Sequence, residues 1–193
     1  EQGCKRSVDF VIAACCLVVF SPLALACALA IRKEDGLPVI YKQERIGLHG
    51  KPFYIYKFRS MRIDAEKDGP DLLEIKGDPR LTKVGRFLRA HHLDELPQLW
   101  NVFKGDMSFI GPRPERKFYI DQIMEHDSRY QFLYQIRPGV TSYATLYNGY
   151  TDTMEKMLRR LELDLYYLEH RSWWFDAKIL LKTFCNIAFG KKF

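Results

Sequence analysis

Residues 93–114, LDELPQLWNVFKGDMSFIGPRP, combine two adjacent carboxylates, a short helical pattern and an arginine between two prolines. Pro97 fits the first turn of a helix, where its missing N–H would have no intrahelical partner. The sequence therefore predicts a helix over residues 97–104. Asp94 and Glu95 come directly before it, where free N–H groups favour ionised carboxylates and phosphate. Such a carboxylate can attack as a nucleophile or bind a metal ion, although capping is the usual role of an isolated Asp-Glu pair at this place.

The composition favours one domain and anionic partners. The chain has 193 residues, of which 47% are hydrophobic, enough for one substantial core with appendages. Its formal net charge of +6 fits phosphorylated substrates, anionic lipid headgroups or nucleic acid. The five cysteines form no CxxC or Cys/His metal pattern, and most of them lie at or inside an N-terminal apolar run. This usage argues against a disulfide framework and for a reducing compartment.

The apolar run, FVIAACCLVVFSPLALACALAI at residues 10–31, is uncharged and long enough to cross about 30 Å of hydrocarbon. Basic residues flank it on both sides, which draws both ends toward the cytoplasm. Pro22 cannot bond the carbonyl of Val18, so we expect a sharp bend at Ser21-Pro22, where the Ser21 hydroxyl can satisfy a freed backbone group. These features predict a re-entrant helix that dips into one leaflet. The alternatives are an ordinary spanning helix with a tolerated proline and a cleaved signal peptide.

A β-hairpin is predicted for residues 37–61, with its turn at residues 47–50. In the second strand, the period of two puts Lys57 and Arg59 on the same face as the apolar Ile55. Both basic residues can therefore point into a phosphate site. The alternative is that they are solvated charges on the strand surface.

Helical spacing predicts further helices over residues 81–90, 115–134 and 154–170, the last with a leucine stripe that indicates core packing. We expect a strand or loop over residues 140–150 and an exposed loop or short helix over residues 64–78. The C-terminal tail mixes tryptophan, apolar residues and lysine, a composition that suits the lipid headgroup layer.

A zinc site is an alternative use of the residues before the central helix. His91 and His92 precede the acidic pair and are metal-ligating types. Neighbouring helical residues point about 100° apart, however, and the chain has no H-x-x-x-H spacing. The pattern therefore favours zinc only weakly.

A series of motifs runs along nearly the whole chain: KRSVDF at residues 5–10, the apolar run broken at Ser21-Pro22, YKQERIG at 41–47, YKFRSM at 56–61, the central stretch, RPGVT at 137–141, LELDLYYL at 161–168 and FDAKIL at 175–180. In this order the motifs resemble the bacterial monotopic phosphoglycosyl transferases. That resemblance implies transfer of a sugar-1-phosphate from a UDP-sugar to a polyprenyl phosphate, with release of UMP.

The resemblance also implies roles for individual residues. Asp94 would be the nucleophile that forms a covalent phosphosugar intermediate, and Glu95 would hold Mg²⁺ beside it. Basic residues at motif positions would bind phosphate or stabilise the transferring group; these are Lys57, Arg89 and Arg113, with Arg59 and Arg137 as further candidates. Attack by a carboxylate on a phosphoryl group brings negative charges together, so a divalent cation and arginine side chains suit this chemistry.

The expected architecture is α+β: a mostly helical single domain with a small β-hairpin, a re-entrant N-terminal membrane helix broken at Ser21-Pro22, and interfacial amphipathic helices. Residues 1–35 would form the membrane helix, and residues 36–193 a cytosolic catalytic domain packed on the membrane surface. The expected location is the cytoplasmic face of a bacterial inner membrane, in contact with phospholipid and without nucleic acid. A homodimer is compatible with the sequence, although no heptad or apolar seam identifies the contact.

Two other functions compete with this interpretation. A catalytically silent, membrane-bound scaffold or lipid-binding protein would use the basic face without chemistry. A transferase that uses direct rather than covalent attack is the nearest enzymatic rival. The sugar also stays open, because Ser142, Tyr143 and Thr145 replace residues found in many relatives after RPGVT.

Overall fold

The computed structural model describes residues 2–65, 78–149 and 151–190. The described chain is mostly helical and carries two small sheets, which confirms the α+β class. The helices are α1 Gln2–Val19, α2 Ser21–Asp35, α3 Lys83–Ala90, α4 Gln98–Lys104, α5 Lys117–His126, α6 Tyr143–Asn148, α7 Met154–His170 and α8 Trp173–Ala188. The strands are β1 Ile40–Ile46, β2 Pro52–Phe58, β3 Ser108–Ile110 and β4 Gly139–Thr141.

The predicted hairpin is confirmed, and a second strand pair accompanies it. β1 and β2 pair around a short 3₁₀ turn at Leu48–Gly50. β3 and β4 pair in parallel, with Ser108 opposite Gly139. Most of the loop expected over residues 64–78 lies outside the described residues.

The break in the N-terminal apolar run lies where the sequence predicts it. α1 ends at Val19, α2 begins at Ser21, and the two axes differ by 60°. The Ser21 hydroxyl donates a hydrogen bond of 2.8 Å to the Val18 carbonyl, which Pro22 cannot bond. Within the described chain, no single helix has the length and apolarity of a membrane span, whereas this bent pair meets both criteria together.

The chain forms two compact units, and the N-terminal helices belong to the first. That unit comprises Glu1–Gln43 and Ile55–Lys104. Its core contains buried residues of α2, β2 and α3, packed with partly buried apolar residues that include Leu93 and Leu96. The core therefore reaches the turn that carries the acidic pair. The predicted boundary at residue 35 stays a prediction.

The second unit comprises Glu44–Tyr54 and Gly105–Phe193. α5, the following 3₁₀ helix and α7 enclose a buried apolar cluster. α7 has the predicted bounds, and Leu161 and Leu165 of its leucine stripe are buried in this cluster. A separate cluster joins β3, α6, α7 and α8.

Two sequence predictions in this unit are wrong in detail. The helix expected over residues 115–134 is two elements, because Asp127 takes an extended conformation after α5 and its carboxylate accepts from Arg129 N–H to start a 3₁₀ helix. The strand or loop expected over residues 140–150 is a short strand followed by α6. The Ser142 side chain starts this helix by accepting a 3.0 Å hydrogen bond from Thr145 N–H.

Candidate active site

The acidic pair lies in a tight turn between α3 and α4. His92, with a left-handed φ of 56°, redirects the chain after α3. Asp94 and Glu95 then form a 3₁₀ turn, and α4 begins at Gln98, one residue after the start that the proline predicts. The left-handed residue and the 3₁₀ turn that follows it connect α3 to α4 by a short turn, and the two carboxylates lie in this turn.

Asp94 is the more enclosed of the two acids. It is 7% exposed, and burial, with repulsion from Glu95, raises its pKa to about 6. Lys57 and Arg89, with a smaller contribution from the neighbouring His92, oppose this rise in the pKa of Asp94. Asp94 is therefore mainly ionised at neutral pH, which is the state that nucleophilic attack requires.

Glu95 pairs with the lysine predicted from the hairpin. Lys57 Nζ lies 3.3 Å from Glu95 Oε1, and both side chains are partly exposed. Ile55, two residues earlier in the strand, is buried. A cation and two carboxylates thus meet at the end of β2.

Arg89 belongs to the same neighbourhood through α3. Its Nε donates a 2.9 Å hydrogen bond to Ser60 Oγ, and its charge acts on Asp94. Ser60 itself is buried and lies two residues beyond the end of β2. Sequence reasoning missed Ser60, although its place inside the YKFRSM motif is a signal for it.

Arg59 has a different environment from Lys57. Its guanidinium donates to the carbonyls of Pro38, Asp35 and Gly36 at 2.6, 3.0 and 3.1 Å, and pairs with the Asp35 carboxylate. The residue is 6% exposed. These contacts close the C-terminal end of α2, so they give no support to the prediction that Arg59 binds substrate.

Arg113 lies in the second unit, on a loop with a fixed backbone. Pro112 and Pro114 on either side are buried, whereas Arg113 is exposed. Gly139 N–H donates to the Pro112 carbonyl at 2.9 Å, and Arg45 Nη1 donates to the Pro114 carbonyl at 3.1 Å. The loop therefore holds an exposed guanidinium on a rigid base, a suitable arrangement for an anion.

Arg137, also in the second unit, is half-buried. Its Nε donates a 2.8 Å hydrogen bond to the carbonyl of Gly105, the residue after α4, whose φ is +98°. This bond uses one of the N–H donors of the guanidinium. The contact of Arg137 with substrate stays a prediction.

A buried charge cluster supports the loop of Arg113 and was missed by sequence reasoning. Glu115 accepts from Arg45 at 3.2 Å and from Arg160 at 2.5 Å, and all three groups are largely buried. Asp164, 3% exposed, lies near Arg160 and Arg113, and burial raises its pKa to about 7. A signal existed for Asp164, because it falls at core spacing between Leu161 and Leu165.

The donor set at the acidic pair fits Mg²⁺ better than zinc. Among the described residues, no group of three His, Cys, Asp or Glu side chains is placed to hold a metal. Zinc sites take at least three protein ligands, whereas Mg²⁺ takes one or two carboxylates and completes its shell with substrate phosphates and water. The partly exposed Glu95 carboxylate beside Asp94 suits the second pattern.

Comparison with known proteins gives this geometry a family context. The sequence model of the bacterial sugar transferase family matches residues 1–190. The chain is 40% identical over 186 residues to the UDP-N-acetylgalactosamine-undecaprenyl-phosphate N-acetylgalactosaminephosphotransferase of Aeromonas hydrophila, covering 96% of this chain and 44% of that protein.

Two further relatives carry the name UDP-glucose:undecaprenyl-phosphate glucose-1-phosphate transferase. The protein of Escherichia coli K12 is 42% identical, with 93% of this chain and 39% of that protein covered. The protein of Caulobacter vibrioides is 44% identical, with 93% and 67% covered. The chain thus spans less than half of two of these three relatives. The match over nearly every residue shows that it belongs to the bacterial sugar transferase family.

Proposed function

We propose that this chain transfers a sugar-1-phosphate from a UDP-sugar to a polyprenyl phosphate, with Asp94 as covalent nucleophile. The observation that carries the proposal is the enclosed Asp94 carboxylate, next to Glu95 and close to the charges of Lys57 and Arg89, in a member of this family. The names of the relatives supply the donor and acceptor classes.

The reaction would proceed in two displacements. In the first, an Asp94 carboxylate oxygen attacks the phosphorus that bears the sugar, the bond from that phosphorus to the bridging oxygen breaks, and UMP leaves with the bonding electrons. In the second, an oxygen of polyprenyl phosphate attacks the same phosphorus, and the bond to Asp94 breaks to restore the carboxylate. One small site can thus serve a soluble donor and a lipid acceptor in turn, with ping-pong kinetics.

The charges of the first unit would offset the repulsion between carboxylate and phosphate, because Lys57 and Arg89 bring positive charge to the attacking group. Separately, the exposed guanidinium of Arg113 in the second unit would bind an anion such as phosphate. A Mg²⁺ ion held by Glu95 would neutralise charge on the phosphate oxygens. Glu95 is the more exposed of the two acids, so it would be the one to take the metal, while the enclosed Asp94 would attack.

The helical pair α1 and α2 would seat the protein in the cytoplasmic face of the bacterial inner membrane as a re-entrant element. Both helices expose large apolar side chains, among them Val11, Val18 and Leu25. α8 would lie in the interface, since it exposes Trp174 and Phe184 together with lysine side chains. Because α1 and α2 belong to the same unit as the acidic pair, their insertion would bring that pair toward a lipid-linked phosphate.

Trapping of the intermediate tests the chemistry. The full chain is incubated with Mg²⁺ and UDP-sugars carrying a label in the sugar, without acceptor, and protein-bound label and UMP are measured. We expect label on the wild type and none on Asp94→Asn. Turnover with acceptor present but no trapped label would favour direct attack, and absence of turnover with every donor and acceptor would favour the silent scaffold.

Cysteine labelling tests the membrane arrangement. Cys4 is exposed near the start of α1. In sealed vesicles with the catalytic portion outward, a re-entrant pair leaves Cys4 accessible to a membrane-impermeant maleimide, with the other four cysteines replaced by serine. Labelling of Cys4 only after the vesicles are opened would contradict the re-entrant arrangement.

A further inference from the structure

The turn that carries Asp94 connects α3 to α4, and the ends of these two helices that lie away from the turn need polar partners. These are called the outer ends of the segment: the N-terminus of α3 and the C-terminus of α4. The N-terminal N–H groups of α3 and the C-terminal carbonyls of α4 have no partners inside their own helices. In the first unit, side chains from α2 and α1 supply these partners. The two flanking helices of the acidic pair are thus both bonded to the N-terminal helical pair.

The outer end of α3 is capped by two side chains. Thr82 Oγ1 accepts a 2.9 Å hydrogen bond from Gly85 N–H, as a threonine commonly does at the start of a helix. The Glu34 carboxylate, in the last turn of α2, accepts from Lys83 N–H at 2.8 Å and from Val84 N–H at 2.7 Å. A carboxylate with one oxygen on each of two neighbouring N–H groups suits the positive end of a helix.

At the outer end of α4 a cation, rather than a carboxylate, bonds the free backbone groups. Arg6 of α1 donates from Nη1 to the Val102 carbonyl at 2.5 Å and from Nη2 to the Phe103 carbonyl at 2.6 Å. The planar guanidinium fork matches two adjacent carbonyls, and its charge suits the negative end of a helix. The ring of Phe10, one turn after Arg6, stacks on Phe103 with centroids 4.8 Å apart.

Apolar packing holds the middle of the segment from the same side. Cys27 and Ile31 of α2 share a core cluster with Leu93 and Leu96, the residues immediately before and after the acidic pair. The helical pair therefore contacts the segment at both outer ends and at its turn. Each of these contacts lies within the first unit.

We propose that Arg6 and Glu34 are positioning residues for Asp94, which hold the flanking helices so that the catalytic turn keeps its geometry. The inference rests on the proposed role of Asp94 as nucleophile. It gives the N-terminal helical pair a second task besides membrane attachment. A displacement of about 1 Å in a reacting group can cost roughly a hundredfold in rate, so loss of either cap acts on turnover more than on donor binding.

The test compares Arg6→Ala and Glu34→Ala with Arg159→Ala and Glu169→Ala in the full chain, reconstituted in phospholipid vesicles. The two control residues are exposed on α7. We expect amide hydrogen exchange in peptides covering residues 91–96 to be roughly fivefold faster in each cap variant and unchanged in the controls. We also expect kcat to fall about tenfold with KM for the UDP-sugar within about twofold, and Arg6→Lys, which keeps a cation at α4, to recover part of kcat.

Several outcomes overturn the inference: unchanged exchange over residues 91–96, faster exchange spread evenly over all peptides, or faster local exchange with wild-type kcat. Vesicle sedimentation checks that the cap variants stay membrane-bound, and a loss of kcat that follows loss of binding also overturns it. If the wild type turns over no donor, the proposed function fails, and the exchange measurement still decides whether the two caps hold the turn.

Discussion

Asp94 and Glu95 are adjacent in the chain but have different surroundings. Asp94 is 7% exposed, whereas the Glu95 side chain is 29% exposed and pairs with Lys57. Burial keeps water from the Asp94 carboxylate, and the neighbouring cations keep it ionised near neutral pH. At the scale of single residues, local environment therefore separates two chemically similar acids into an enclosed carboxylate and a more accessible one, as their proposed roles in attack and metal binding require.

Substitution of Lys57 tests the electrostatic part of this site. Lys57→Met removes the cation 3.3 Å from Glu95 while keeping most of the side-chain length. We expect kcat/KM for UMP release to fall roughly 10- to 100-fold, because less positive charge remains to offset the phosphate. Lys51→Met, at an exposed position before the same strand, is the control. Equal rates in the two variants would contradict a role for Lys57.

The buried Asp164 makes the stability of the folded protein depend on pH. Burial raises its folded pKa to about 7, so the native state binds a proton that the unfolded state has released. The contribution to stability is complete below the unfolded pKa and is lost as pH rises through about 7. Arg160 and Arg113 oppose the rise and Glu115 adds to it.

Asp164→Asn removes this titration. Between about pH 5 and 8 we expect the stability of the variant relative to the wild type to increase by roughly 2–3 kcal/mol, measured by denaturant or thermal unfolding in detergent. Asp152→Asn is the control, because Lys156 lowers the pKa of that exposed carboxyl and its contribution is constant in this range. A flat difference for Asp164→Asn would show that its folded pKa is ordinary.

At the scale of elements, α3 approaches the end of β2 very closely at Gly85. A Cβ on Gly85 would lie 1.9 Å from the Ser60 carbonyl oxygen. Thr82 N–H also donates to that carbonyl at 3.1 Å. The missing side chain thus allows the helix that carries Arg89 to reach Ser60, which Arg89 bonds.

Gly85→Ala tests this close approach. Alanine normally stabilises a helix interior by about 1 kcal/mol relative to glycine, but here the clash is with backbone, which cannot move cheaply. We expect a net loss of roughly 2 kcal/mol or more in unfolding free energy and reduced transferase activity. Gly3→Ala in α1, where nothing lies within 4 Å, should be neutral or slightly stabilising. Similar stability in both variants would contradict the packing argument.

At the scale of the whole molecule, each unit joins segments that are distant in sequence. In the second unit, Glu115 links Arg45 of β1 to Arg160 of α7, and Ile46 N–H donates to the Glu115 carbonyl at 3.0 Å. The loop carrying Arg113 is therefore fixed by a strand before it and a helix after it. In the first unit, Arg6 and Val102 are bonded although 96 positions separate them.

The Glu115 cluster predicts non-additive stability. Glu115→Gln takes the paired carboxylate away from both buried arginines and should destabilise the protein by roughly 3–5 kcal/mol. Adding Arg160→Met removes one of these two cations, so the double variant should cost less than the sum of the separate substitutions. Thermal unfolding of Glu115→Gln, of Arg160→Met and of the double variant measures the coupling. A double variant as unstable as the sum of the separate substitutions would rule out the coupling.

Local patterns in the sequence determined much of this protein. The break at Ser21-Pro22, the hairpin and the bounds of α7 follow from rules of backbone geometry and periodicity that act over short stretches of chain. The motif order indicated the family, and the acidic pair before Pro97 indicated the turn. Each individual motif can be recognised from a few neighbouring residues, without knowledge of the folded structure.

Tertiary structure decided which charged groups meet. The sequence treats Lys57 and Arg59 alike, yet one pairs with Glu95 and the other closes α2. Helix ends and buried charges take whichever partner the fold brings near. Arg6, Glu34 and the Glu115 cluster find theirs far along the chain. Such pairings leave no local periodicity, because their energy depends on burial and on distances set only when the whole chain is packed.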